Sequence, residues 1–155
     1  MMNIKDIIDS VTVENAVTLV TVYNLPNNSD SIADIFSCLA EKGINVDMIS
    51  LNPAQSSRTS LSFTISDDDL VKTLSYTSKL NDGKIKPIVS SGNCKISVND
   101  AGMENCPGVA AKVFGKAASV KTDILLITTS EAQISLLVTK SDFDSAYTAI
   151  QEAFE

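Results

Sequence analysis

The run GMENCPGVAAKVF, Gly102 to Phe114, sets Pro107 and Gly108 side by side between a strand-like and a helix-like segment. In a chain with only 4 Pro and 6 Gly, that pairing points to a shaped helix entrance. A proline in the first turn pre-sets φ and gives up an N–H that would go unpaired anyway, while glycine leaves the neighbouring amides open to approach. Open amides at the positive end of a helix suit a small anion, such as the carboxylate of an amino acid. On residue type alone, Pro107-Gly108 also reads as nothing more than a helix start.

Other reactive groups are scarce. The chain has no histidine, which removes the commonest general base and the usual partner of a nucleophilic cysteine or a bound metal. Cys38, Cys94 and Cys106 show no C-x-x-C spacing and read as reduced thiols used in packing. There is no Gly-rich phosphate loop, and the carboxylates are scattered as on a solvated surface. Catalysis, a metal site and a cofactor are therefore not expected. With 19 acidic against 12 basic residues, a net charge of -7 and a pI of about 4.5, the chain would repel a nucleic-acid backbone. Apolar runs such as ISLLV at 134–138 are far shorter than the ~20 residues of a membrane span, and MMNIKDIIDS carries acids where a secretory leader is basic. A cytoplasmic protein without a membrane partner is expected.

A weak internal repeat supplies the elements around the helix entrance. IADIFSCLAEKGINVDMISLN at 32–52 aligns with AAKVFGKAASVKTDILLITTS at 110–130, setting Phe36 over Phe114, Val46 over Ile124 and Ile49 over Ile127. LSFTISDDDL from Leu61 aligns with ISLLVTKSDF from Ile134, the first copy having the longer hairpin loop, PAQSSR. In the first copy VTLVTVY at 17–23 is rich in β-branched residues and predicts a strand. Ile32, Ile35, Phe36 and Leu39 share one helical face, and Gly43 stops that helix. Strands are predicted at about 46–51 and 59–65, then a second helix from Ser66 with acids in its first turn. After the Asn81-Asp82-Gly83 turn, KIKPIVS predicts a fourth strand that Pro87 puts at an edge.

The second copy reads as strand CKISVND, a helix from about 107, strands near 123–129 and 132–139, and a helix from 142, with no fourth strand. DSVTVE at 9–14 has strand composition and is predicted to close that sheet. The expected class is α+β: two interleaved ferredoxin-like βαββαβ units with antiparallel sheets, one at 15–91 and the other at 92–155 plus 9–14. The second strands, VDMISL and ILLITT, are apolar on both faces and predict burial under helices and against a neighbouring sheet or unit. Met48 and Phe36 are assigned to the core.

GINVDMIS after the first helix, GMENCPGVAAKVF at the third and ITTSEAQISLLV over the last hairpin closely resemble the tandem ACT regulatory domains of aspartokinases. The resemblance runs from about residue 9 to 154, with Gly102, Met103, Pro107, Gly108, Val109 and Ala110, then Thr129, Ser130 and Glu131, in order. It implies an N-terminal strand that completes the second ACT unit. It also implies allosteric sensing of an amino acid, lysine or threonine, in the aspartate pathway of lysine biosynthesis. Association would be as a homodimer through the ACT units, with effectors at the contacts. The kinase domain of the family and its Lys-Phe-Gly-Gly motif are not in the sequence, so no catalysis is expected of this chain.

In the second unit the resemblance implies an effector site of Met103, Pro107, Gly108, Val109 and Ala110 at the helix entrance, with Asp123 and Ile124 at the start of the next strand. Asp123 stands where the family usually has Asn, and its carboxylate suits an ammonium group; read without the family, it simply ends a loop. In the first unit the corresponding residues are Asn27, Asp30, Ser31, Asp47, Leu51 and Asn52. There Ser29-Asp30 replace the Pro-Gly pair, Asn27 stands where aspartokinases commonly carry Asp, and Leu51 replaces Gln. Ser29 or Asp30 makes a good N-cap, but Asp30 sets a negative charge near the amides an effector would use. The expected protein is a standalone sensor acting on a separately encoded kinase or another pathway enzyme. Two alternatives stay open: a ligand-free structural subunit, or the separately made regulatory subunit of an aspartokinase.

Overall fold

The computed structural model describes residues 10–55, 57–80, 85–99 and 107–154. β1 (Ser10–Pro26) leads into α1 (Ser29–Glu41), β2 (Ile49–Leu51), β3 (Arg58–Ser66), a 3-10 turn (Asp67–Asp69) and α2 (Leu70–Thr77). β4 (Pro87–Asn99) is followed by α3 (Val109–Ser119), β5 (Ile124–Thr129), β6 (Gln133–Val138) and α4 (Lys140–Ala153). The chain divides into Ala16–Gly92, the first unit, and Asn93–Glu155 with the chain up to Asn15, the second. Strand order is β2-β3-β1-β4 in the first unit and β1-β4-β6-β5 in the second. The pairs β1·β3, β2·β3, β4·β6 and β5·β6 are antiparallel. The N-terminal strand thus completes the second unit, where Asn99 Nδ2 donates to Thr12 Oγ1 at 3.0 Å. Pro87 opens β4 on the edge of the first unit, where its missing N–H breaks no ladder.

Two strands are longer than the sequence predicts. Residues 10–14 of the segment predicted at 9–14 share one strand, β1, with 17–23, and PIVS of KIKPIVS runs on into CKISVN of CKISVND as β4; Asp9, Lys84 and Asp100 lie outside the described residues. Each passes from one unit to the other beside a residue with positive φ, Ala16 (φ 56) and Gly92 (φ 71). One left-handed residue bends a strand without ending it, and at position 16 no residue-type signal announces it.

Alternation along the strands builds a core on one face of each sheet. In the first unit Val20, Val22, Leu61, Phe63 and Ile65 pack with Ile35 and Leu39 of α1. Phe36 meets Phe63 edge-on at 5.9 Å, and Met48 is buried. In the second unit Ile96, Val98, Leu136 and Val138 pack with Val113 of α3 and Ile150 of α4. The predicted burial of the second strands is not what the structure has: Ile49 and Leu51 are each 49% exposed and Ile127 45%. β2 and β5 are the outer strands of their units, so apolar side chains on the face away from the helices have no cover within the unit.

The repeat is exact at one detail, the end of the first helix of each copy. After α1, Gly43 N–H bonds Ala40 O and Ile44 N–H bonds Leu39 O, both at 3.0 Å, with Gly43 left-handed (φ 72). After α3, Lys121 N–H bonds Ala118 O at 3.0 Å and Thr122 N–H bonds Ala117 O at 3.1 Å, with Lys121 left-handed (φ 55). Both are Schellman ends, but only the first has the residue that adopts this geometry freely. Lys121→Gly is therefore expected to stabilise the protein by about 0.5–1 kcal/mol, the steric relief exceeding glycine's added unfolded-state entropy. The midpoint of thermal unfolding should rise by roughly 2 °C.

Candidate functional site

The two helix entrances are built differently. At α3, Gly108 is the N-cap with φ 98, a conformation that suits only glycine, and no side chain caps the helix. Its first turn holds no acid, while Lys116 sits in its last turn. Val109 is buried and anchors the turn, whereas Pro107, Gly108 and Ala110 are exposed. At α1 the N-cap is Asn28, not Ser29 or Asp30: its Oδ1 accepts from the Ser31 N–H at 2.8 Å. Asp30 lies in the first turn of α1 and adds its charge to the dipole end. The α1 amides are thus partly served by the chain itself.

In the second unit the predicted strand residues lie apart from the helix entrance. Ile124 begins β5 and Asp123 directly precedes it, at the far end of α3, whose 11 residues span about 16 Å. Asp123 is exposed and its N–H donates to Asp142 Oδ2 at 2.9 Å, so two carboxylates mark the start of β5. In the first unit, Asp47 N–H bonds Thr64 O while Asn52 N–H bonds Ser60 O, which puts them at opposite ends of β2. Leu51 and Asn52 are at the hairpin end, and Asn27 N–H reaches the same hairpin through Ser57 O at 2.8 Å. Met103 lies outside the described residues, as does the Asn81-Asp82-Gly83 turn. Among the described residues no helix is long and apolar enough to cross a membrane, and no three His, Cys, Asp or Glu side chains are grouped to hold a metal ion.

The sequence pattern of the ACT domain matches residues 17–77 and again 96–154. The chain belongs to the ACT domain family. Aspartokinase of Bacillus sp. (strain MGA3) is 36% identical over 153 residues, covering 96% of this chain and 37% of that protein. The chain spans little more than a third of the length of the curated relatives it matches. The ligand-free regulatory subunit of aspartate kinase from Thermus thermophilus superposes with a TM-score of 0.88 at 29% identity, covering 96% of this chain and 99% of that one. Aspartate kinase from Synechocystis gives 0.89 at 27% identity, covering 99% of this chain and 28% of that one. The two ACT repeats correspond to the regulatory region of these proteins and leave the kinase domain unmatched.

Within the first ACT unit two features went unread in the sequence. Leu25, Ile35, Leu80 and Ile85, together with Ser31, Asp34 and Tyr76, line a pocket of about 250 Å³ beside α1. Burial first, then the neighbouring Cys38 and Asp34, raises the pKa of the Tyr76 hydroxyl above its ordinary value, and this hydroxyl donates to Asp34 O at 3.4 Å. The second feature is a polar groove around Arg58 at the β2–β3 hairpin. No motif announces either one, because each is assembled from residues of different elements.

Proposed function

We propose that this chain is an amino-acid-binding regulatory module with no catalysis of its own, sensing an effector of the lysine or threonine type. The observation that carries this reading is the end-to-end correspondence with a regulatory subunit of aspartate kinase, where the chain covers 99% of that structure. The second ACT unit holds the better site: the amides of α3 at Pro107, Gly108, Val109 and Ala110 take the carboxylate, and Asp123 beside Ile124 takes the ammonium group. Met103 joins this site by its place in the motif. Because Gly108 and Asp123 sit at opposite ends of α3, the two halves of one site would come from two copies of the chain, which favours a homodimer joined through ACT edges. The exposed Ile49, Leu51 and Ile127 on those edges support the same arrangement. The regulated partner would be a separately encoded kinase or another enzyme of the aspartate pathway.

The test is thermal unfolding of the chain against lysine, threonine, methionine and aspartate, repeated with Gly108→Asp. A ligand at 100 times its Kd adds roughly 2.7 kcal/mol, a shift of roughly 5–10 °C for a chain of this size. The shift is expected with one amino acid and should vanish in a Gly108→Asp variant that still unfolds cooperatively, because aspartate both strains the φ of 98 that shapes the entrance and brings a negative charge to its amides. A second reading, a ligand-free interaction subunit, is favoured by the self-capped α1 entrance with Asn28 and Asp30. No shift with any amino acid would select it.

A further inference from the structure

The end of β1 and the β2–β3 hairpin enclose a groove of about 390 Å³, lined among others by Asn24, Asn52, Gln55, Arg58 and Ser60. Arg58 is the single arginine of the chain, and in a protein of net charge -7 no carboxylate lines the groove among the described residues. Its position is held by the backbone on both sides. Gln55 and Arg58 exchange N–H···O bonds of 3.0 and 3.3 Å across the hairpin turn, so their side chains leave the same face. On β1 a bulge sets Tyr23 and Asn24 between the pairs Val22↔Leu61 and Leu25↔Thr59, leaving both opposite Ser60. Asn24 is left-handed there (φ 60), and its carbonyl accepts from Arg58 Nη1 at 3.3 Å. Bulges recur beside functional sites because they re-aim groups of the strand, and this one fixes one arm of the guanidinium fork. Asn52 Nδ2 donates to Ser60 Oγ at 2.6 Å, which leaves the Ser60 proton for a third group.

We propose that this groove binds a small carboxylate anion that carries no ammonium group. The guanidinium fork matches a carboxylate in two parallel hydrogen bonds, with the Ser60 hydroxyl and the Gln55 amide as flanking donors. An ammonium group would find no counter-charge on these walls, which separates the site in chemistry, as in residues, from the amino-acid site proposed at α3.

Amide correlation spectra of the full chain, titrated with succinate and separately with inorganic phosphate and lysine, test the proposal. Succinate is expected to move the signals of Asn24, Gln55, Arg58 and Ser60 saturably. Arg58→Gln should weaken that binding by about tenfold or more, and Arg58→Lys, which keeps the charge but not the fork, should fall between. Gly108→Asp should leave succinate binding unchanged, so that failure at the α3 entrance and failure here are told apart. Arg58 is exposed, and the same spectra report whether its variants and Gly108→Asp remain folded, the comparison resting on folded variants alone. The proposal is overturned by any of four results: no saturable shift with succinate, unchanged affinity in Arg58→Gln, loss of binding in Gly108→Asp, or phosphate or lysine binding as tightly as succinate.

Discussion

Phe63→Ala is expected to remove about 3–5 kcal/mol of stability, the usual cost of deleting a buried aromatic ring, and to lower the midpoint of thermal unfolding by roughly 10 °C. Phe63 is fully buried and sits in the middle of β3, paired with Val20 on β1 and with Ile49 on β2. Its ring is the contact that Phe36 of α1 packs against. The gap left by alanine would open between sheet and helix, and neither flank can close it without breaking strand pairing or lifting α1. β2 is only three residues long and pairs with β3 alone. The variant should therefore loosen the strand that ends in Leu51 and Asn52 as well as lose global stability. Urea unfolding measures the loss of global stability, and amide exchange at Ile49–Leu51 measures the loosening of β2. Phe63→Leu, which retains most of the volume, should recover the greater part of both. A loss below about 1 kcal/mol would mean that the first unit collapses over the gap, against the close packing expected of such a core.

The sequence carried the fold where residue type and position speak together. Gly43 after an apolar helical face could mean only a helix end, and the Schellman bonds are there. The need of the second copy for a fourth strand points to residues 9–14, of which 10–14 lie in β1, and Thr12 there bonds Asn99 of β4. What stayed hidden was decided by geometry that residue type does not encode. Asn27, Asn28, Ser29 and Asp30 are all good N-caps, and the choice of Asn28 follows from where β1 ends and from the Asn27 bond to Ser57. Ala16 gives no hint of a left-handed backbone, so the residue pattern predicts two strands where the chain forms one. The apolar pattern of VDMISL was correct as a pattern, but periodicity cannot tell a strand buried on both faces from an outer strand whose far face has no cover within its own unit. The Arg58 groove lay beyond reach for a similar reason: its walls come from a bulge, a turn and a strand end, and only the folded chain sets Asn24 beside Arg58.

Asp67→Ala is expected to cost about 2–4 kcal/mol, which is large for a side chain that reads in sequence as one of three interchangeable acids at a helix start. Asp68 and Asp69 have the same chance to complement the helix dipole, a surface effect of well under about 1 kcal/mol each. Asp67 alone reaches across the first unit. Its Oδ1 accepts from the fully buried Thr18 hydroxyl at 2.6 Å, and both its oxygens accept from the Gly92 N–H at 3.1 Å. One carboxylate thus ties β1, the 3-10 turn before α2, and the left-handed residue at which β4 leaves the unit. Alanine would leave a buried hydroxyl and a half-buried N–H without an acceptor, and each such group costs about 1–3 kcal/mol. Asp67→Asn keeps one acceptor oxygen and should lose about half as much. The decisive comparison is a double-mutant cycle with Thr18→Val, measured by urea unfolding. Once the hydroxyl is gone, removing the carboxylate should hurt less, with a coupling of about 1–2 kcal/mol between the two positions. Additive losses would mean that the bond to Thr18 contributes nothing in solution and that Asp67, like its neighbours, serves only the helix start.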